Sequence, residues 1–479
     1  MTTPVCLNFL KKGGAMLTIK SFPVRYIPLL AGPVLAIVTV QLMLETGWER
    51  PQALTAGVTV LCALWWIFEA LPLPVTALVP VALFPPLSVL DHHAVAQAYG
   101  NPLILLMLGG FILSAAMARS GAHRRLALFM VNLFGRGRDR NLVFGFMAAS
   151  ALLSMWVSNT ATTLMLLPVA LAVLETAKDR ALVVPLLLGI CYAASVGGIG
   201  TPIGTPPNLV FMKVYSESTG VEITFLEWMK WGIPVVVCFV PLIAWYLTRR
   251  LTGRQSIELP ATGTWQPAEK RVMILFALTA VAWMFRKEPF GGWSSWFDIP
   301  GANDASVALI SAVLLFLIPD GRGGRLMDWD NANKIPWGIL LLFGGGIAIA
   351  SAFKVSGLST TLAQALTGLE SLPVWILLLI ICLSVTFLTE MTSNTATTTL
   401  LMPILAAAGI ASGVDPALLM VPAAMSASCA FMLPVATPTN AIIFGSGQVA
   451  IGDMVRRGLF LNLIGAVLIS FLCYWLIAN

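Results

Sequence analysis

Ser158-Asn159-Thr160-Ala161-Thr162-Thr163, followed by Leu167-Pro168, returns in the second half of the chain as Ser393-Asn394-Thr395-Ala396-Thr397-Thr398, followed by Met402-Pro403. A second signature trails each copy at nearly the same spacing. It reads Gly204-Thr205-Pro206-Pro207-Asn208 in the first half and Ala436-Thr437-Pro438-Thr439-Asn440 in the second. Upstream, Leu105-Leu106-Met107-Leu108-Gly109-Gly110 is echoed by Leu340-Leu341-Leu342-Phe343-Gly344-Gly345, and Ser120-Gly121 by Ser356-Gly357. Small polar residues and helix breakers that recur inside apolar sequence point to a transporter made of two related halves around one central site.

The composition agrees. Of 479 residues, 58% are hydrophobic and only 10% charged, with mean hydropathy +0.87, whereas a soluble domain carries about 25% charged residues. Apolar stretches near the spanning length of ~20 residues recur along the chain, so the sequence predicts an all-α polytopic membrane protein. Spans are expected near residues 26–44, 54–69, 72–89, 101–118, 181–213, 232–248, 271–285, 304–318, 336–353, 417–447 and 459–477, about 11 in all. Two apolar segments, 141–175 and 374–411, are too long for one helix and carry Ser-Asn-Thr near the middle. Each is read as a re-entrant hairpin whose tip stops inside the membrane, where irregular backbone is tolerated only against protein or a wet cavity.

Charge sets the orientation. With the N-terminus in the cytoplasm and each hairpin returning to its own side, only Arg50, Lys213, Lys230, Arg286, Lys287 and Lys354 of the 28 basic residues lie outside. The others, among them Lys11, Lys12, Lys20, Arg25, Arg136, Arg138, Lys178 and Arg254, are cytoplasmic, as the positive-inside rule favours. Five crossings separate corresponding elements, so the second half is inverted relative to the first, the arrangement that places a substrate site at the midplane. Between residues 119 and 140, Arg124 and Arg125 against Leu126, Leu128, Phe129 and Val131 predict an interfacial amphipathic helix. The N-terminal region shows no cleavable signal; short loops without Asn-x-Ser/Thr sequons favour a bacterial inner membrane.

At the tips, Ser, Asn and Thr are helix N-cap residues. A half-helix start also presents free N–H groups and a positive dipole end, suited to an anion, while Asn and Ser oxygens suit an alkali cation. Thr205-Pro206-Pro207 and Thr437-Pro438 interrupt apolar helices and free backbone carbonyls, which are cation ligands. No Lys or Arg lies in either tip or break. An anionic cargo must then be offset by helix dipoles and by cations bound with it, since a bare dianion at mid-membrane would cost many kcal/mol. Glu390, close to the second tip, is open to two roles, as a proton or cation ligand or as a structurally paired carboxylate; Glu69 is expected at the interface. The histidines (His92, His93, His123) and seven scattered cysteines form no metal pattern, and no catalytic triad or Walker loop is present, so the chain does not read as an enzyme. Nothing points to nucleic acid.

The paired Ser-Asn-Thr motifs, Gly-Thr-Pro-Pro-Asn at 204–208 and the run Cys429-Ala430-Phe431-Met432-Leu433-Pro434-Val435-Ala436-Thr437-Pro438 resemble the divalent anion/sodium symporter family of dicarboxylate, citrate and sulfate carriers, across nearly the whole chain. The resemblance implies a homodimer in the lipid bilayer that works as an elevator, with a dimerising scaffold and a moving transport domain. Residues 1–100 and 232–335 would supply scaffold helices. Residues 101–231 and 336–479 would each supply a scaffold-contact helix, a hairpin (141–175; 374–411) and a broken helix (181–213; 417–447), the latter block also holding the last helix. One sodium ion would bind at Ser154, Ser158, Asn159 and the Gly204 backbone, a second at Thr389, Ser393, Asn394 and the Ala436 backbone. Substrate carboxylates would meet Asn159, Thr160, Asn394, Thr395, Thr437 and Pro438. Thr439 departs from the pattern, standing where a proline would mirror Pro207. The expected function is sodium-coupled symport of C4 dicarboxylates such as succinate, malate or fumarate. A sodium-independent di- or tricarboxylate exchanger, a sulfate symporter and a cation/proton antiporter are the alternatives.

Overall fold

A chain this apolar must satisfy its backbone within each segment, and helices do so. The computed structural model describes residues 26–134, 139–176, 180–253, 264–287, 291–359, 361 and 373–478; Lys11, Lys12, Lys20, Arg25, Arg136, Arg138, Lys178 and Arg254 of the charge pattern lie outside them. The regular structure of the described residues is helical, apart from one isolated bridge between Pro319 and Arg325. Seven of their helices are long and apolar enough to cross a membrane.

Tyr26–Glu45 and Arg50–Ile67 form an antiparallel pair. The continuous span expected at 72–89 is not there. Pro72 stands just before the first helix and Pro80 breaks the segment at Ala77, leaving Leu73–Thr76 and Leu78–Leu83, followed by turns through Pro85 and Pro86; proline removes a donor and crowds the preceding turn. The junction is held by Tyr99, from the short helix His92–Tyr99, whose hydroxyl donates to the Ala77 carbonyl at 2.6 Å. Pro102–Ser120 ends on Gly121 in the left-handed conformation (φ 81°), which glycine adopts without strain. The amphipathic helix runs over Ala122–Phe134, burying Ala127, Leu128 and Val131 and exposing Phe129 and Leu133.

The paired segments are helical hairpins: Asp139–Ser154 with Asn159–Thr176, and Val374–Thr389 with Asn394–Ala411. At 1.5 Å per residue these half-helices measure about 24 and 27 Å; Asn394–Ala411 is among the seven helices above, while Asn159–Glu175 and Val374–Thr389 fall in a shorter class. Both broken helices are broken where the prolines stand. Val183–Gly197 gives way to a 3-10 turn and resumes at Pro206–Thr219; Pro416–Ser426 gives way to extended chain and resumes at Pro438–Gly445. The first half-helix of each hairpin packs on its broken helix and on the long helix that follows, Phe225–Thr248 in one half and Ile451–Ile477 in the other. Gly232 and Gly458 repeat the same close approach. A Cβ on Gly232 would collide with the Ile199 carbonyl, and one on Gly458 with the Phe431 carbonyl; Ile199 and Phe431 occupy matching positions when Thr205 is aligned with Thr437.

Candidate functional site

The two tips and two breaks meet in one cavity of about 810 Å³. Ser158, Asn159, Thr160, Gly204, Ser393, Asn394, Thr395, Ala436, Thr437 and Pro438 all line it. Ser154 and Thr389, the remaining predicted site residues, are fully buried one layer behind. Each holds its tip asparagine: the Ser154 hydroxyl donates to Asn159 Oδ1 at 2.5 Å and the Thr389 hydroxyl to Asn394 Oδ1 at 2.6 Å. One turn further on, Thr163 donates to the Asn159 carbonyl and Thr398 to the Asn394 carbonyl, at 2.9 and 2.8 Å. Each of these partners in the first tip has its equivalent at the matching position of the second.

The breaks are tied by a second mirrored device. Asn208 Nδ2 donates to the Gly198 and Thr201 carbonyls at 3.0 and 2.7 Å. Asn440 Nδ2 donates to the Ala430 and Leu433 carbonyls at 3.0 and 2.9 Å. Both asparagines are wholly buried. A broken helix leaves carbonyls without intrahelical partners, and these amides take up two of them in each half.

Capping alone does not account for the tips. Ser158 Oγ accepts from Ala161 N at 3.2 Å, but Ser393 makes no such bond. Its hydroxyl is left to the cavity. In the first tip, tip and break face one small space beside Gly198, where a Cβ would stand 2.8 Å from Asn159 Oδ1 and 3.2 Å from the Gly204 carbonyl. Asn159 Nδ2 stands 3.2 Å from the same point, so glycine alone fits there, and the two neutral oxygens it lets approach are of the kind that suits an alkali ion. The equivalent place in the second half holds Ala430, so the two notches differ in shape.

Glu390 is 3% exposed. Its Oε1 accepts from Met432 N at 2.8 Å, Oε2 from Leu433 N at 2.9 Å, and Asn462 Nδ2 donates to Oε1 at 2.7 Å. Of the two roles open in the sequence, these bonds make the structural one visible: the carboxylate staples the second tip to the second break. The first half does the same job with neutral groups, the Thr201 hydroxyl donating to the Met155 carbonyl. Thr439 is buried and in contact with both halves, 3.3 Å from the Ser195 hydroxyl and 2.8 Å from that of Thr437.

Trp156, Ser195 and Met391 line the cavity without a sequence signal, and Glu69, expected at the interface, lines it as well. Glu69 has a left-handed backbone (φ 46°). Trp156 is held between Phe225 and Phe276 at ring distances of 5.9 and 5.2 Å. Among the described lining residues Glu69 alone is ionisable.

Comparison with known proteins fits this geometry. The family description "Sodium:sulfate symporter transmembrane region" matches residues 24–478. A protein named sodium-dependent dicarboxylate transporter SdcS, from Staphylococcus saprophyticus, is 38% identical over 484 residues, covering 96% of this chain and 92% of that protein. Its namesake from Staphylococcus aureus (strain USA300) is 38% identical over 476 residues, covering 94% and 91%. Two solved transporters share the fold at low identity. The Alcanivorax borkumensis YdaH transporter has TM-score 0.58 at 16% identity, over 80% of this chain and 87% of that one. Neisseria gonorrhoeae MtrF has TM-score 0.59 at 13% identity, over 82% and 84%. The all-helical polytopic fold is thus that of a membrane transporter. With its mirrored tips, its mirrored breaks and a match along almost its full length, the chain belongs to the sodium:sulfate symporter family, the divalent anion/sodium symporters.

Proposed function

We propose that this protein is a sodium-coupled symporter of dicarboxylates, with C4 acids such as succinate, malate and fumarate as cargo. The observation that carries the reading is the single cavity shared by both tips and both breaks, lined by hydroxyls, amides and helix starts without a basic side chain among the described residues. A dianion there gains from the N-terminal ends of Asn159–Thr176 and Asn394–Ala411. The rest of its charge is offset by sodium carried in the same step. The first sodium is assigned to Asn159, Ser158, Ser154 and the Gly204 carbonyl, the second to Asn394, Ser393, Thr389 and the Ala436 carbonyl. Asn159, Thr160, Asn394, Thr395, Thr437 and Pro438 are left to face the carboxylates. Relatives at 38% identity named for sodium-dependent dicarboxylate transport support this cargo over sulfate. The bonding of Glu390 to two backbone N–H groups speaks against a cation/proton antiporter.

The transport step fits an elevator movement in a homodimer, with the hairpins and broken helices moving against a scaffold. In the plasma membrane with a cytoplasmic N-terminus, Glu69 and Pro336 lie on the inner side. The cavity reaches both, so this conformation faces the cytoplasm. Uptake into proteoliposomes tests the reading: succinate accumulation should require an inward sodium gradient. Dependence on a trapped counter-substrate, without sodium, would make the protein an exchanger instead.

A further inference from the structure

The internal repeat makes the two halves comparable position by position, and in one place they part. Thr386, Ser426 and Ser428, all wholly buried, have hydroxyls with no nitrogen or oxygen partner among the described residues. With Ser158 aligned on Ser393 in the hairpins and Thr205 on Thr437 in the broken helices, their equivalents are Ala151, Ala194 and Val196. Glu390 corresponds to Met155. Asn462, whose Oδ1 is also buried and unpartnered, corresponds to Val236 through the Gly232–Gly458 match. Five polar groups of the second half thus replace five apolar residues of the first.

The segments that carry these groups are in contact. The Thr389 hydroxyl lies 3.0 Å from the Ala427 carbonyl, which fixes the hairpin against residues 426–428. Ser426 faces the thiol of Cys382, one turn before Thr386 on the same hairpin helix, and a thiol is only a weak partner. Thr386 lies on the same helix face as Thr389 and is one turn before Glu390. Asn462 bonds Glu390 directly. Helix hydroxyls commonly bond back to the preceding turn, as Thr392 and Thr398 do here; these do not. In the first half, Gly197 lies so close to Ala151 that a Cβ would collide with its backbone. The second half has Cys429 at that position, so its helices cannot close to the same distance.

Buried polar groups without partners call for a bound species. Here the neighbouring carboxylate narrows the choice. Glu390 accepts three hydrogen bonds, but the ion pairs among the described residues do not include it, and acidic groups inside a membrane protein pair with cations or backbone groups. Water would satisfy the hydroxyls; a cation would satisfy them and also pair with the carboxylate. We propose that Thr386, Ser426 and Ser428, with Asn462 Oδ1 and the field of Glu390, form a further binding site for a small monovalent cation, sodium, separate from the two tips and present in the second half only. This rests on the sodium-coupled reading above.

Equilibrium binding of radiosodium to the purified full-length protein in detergent tests it. The Thr386→Val/Ser426→Ala/Ser428→Ala variant should bind one sodium per chain fewer than wild type, while Thr386→Ser, which keeps the oxygen, should bind the wild-type number. If the triple variant does not fold, the single Ser428→Ala variant decides, with an expected loss of sodium affinity of about tenfold at one site. Equal sodium numbers and affinities in wild type and variant would overturn the proposal and leave buried water as the occupant. Wild-type protein that binds no sodium at all would overturn the coupled reading with it.

Discussion

Asn159 and Asn394 concentrate the account into two side chains. Each Oδ1 is oriented by one buried hydroxyl, and each residue starts a half-helix at the cavity wall. On the proposed assignment, removing either amide deletes a cation ligand, a loss on the order of 1.4 kcal/mol, or about tenfold in affinity. Asn159→Ala and Asn394→Ala should therefore each raise the sodium concentration for half-maximal succinate uptake about tenfold; unchanged sodium activation in both would remove these residues from the sites. Gly198→Ala is a sharper probe, because the added methyl would occupy the space between Asn159 Oδ1 and the Gly204 carbonyl. It should abolish sodium activation while the protein stays folded, as judged by gel filtration and circular dichroism. Glu390→Gln places an amide against the N–H groups of Met432 and Leu433, leaving one donor unmatched at about 1–3 kcal/mol. A lower Tm of the purified protein is expected; a Tm equal to wild type would show that the carboxylate is not a staple.

At the scale of elements, the repeat was legible because its physics is local. Ser-Asn-Thr inside apolar sequence and Thr-Pro within an apolar helix each name a place where a helix stops, and both hairpins and both breaks stand there. The segment 72–89 departs from one continuous helix for the opposite reason: it folds as a shorter apolar stretch, Leu73–Leu83, with a turn at Ala77. Hydropathy does not register that Pro80 breaks the helix one turn back, at Ala77, while Tyr99 holds the junction from elsewhere in the chain. The tie of Asn208 and Asn440 to broken-helix carbonyls was likewise invisible, although both residues belong to the quoted signature, since the acceptors are identified only once the chain has folded back. Ser154 and Thr389, which the resemblance implies as sodium ligands, lie behind the wall and hydrogen-bond the two tip asparagines. Asn440→Ala should release two buried carbonyls and lower the Tm, with Asn208→Ala doing so in the first half; a Tm unchanged in both would mean the breaks hold themselves.

For the whole molecule, opposite ends of the chain build one site, and the two halves are not equal partners in it. The first notch has glycine at 198 and 204 where the second has alanine at 430 and 436, and the second alone carries a buried carboxylate. Trp156 packs the first tip against Phe225 and Phe276, while Met391 and Val435 beside the second tip are 79% and 83% exposed. A Val435→Cys variant should accordingly react with a membrane-impermeant maleimide from the cytoplasmic side, and sodium with succinate should slow the reaction. Labelling only from outside would reverse the orientation. The central claim, that alkali ions make a dianion tolerable between two mirrored tips, is tested most directly by radiolabelled succinate uptake into proteoliposomes of the purified protein. The account predicts concentrative uptake with sodium outside, and collapse to the empty-liposome level when potassium or choline replaces it. Uptake of equal rate and extent in all three salts would contradict it.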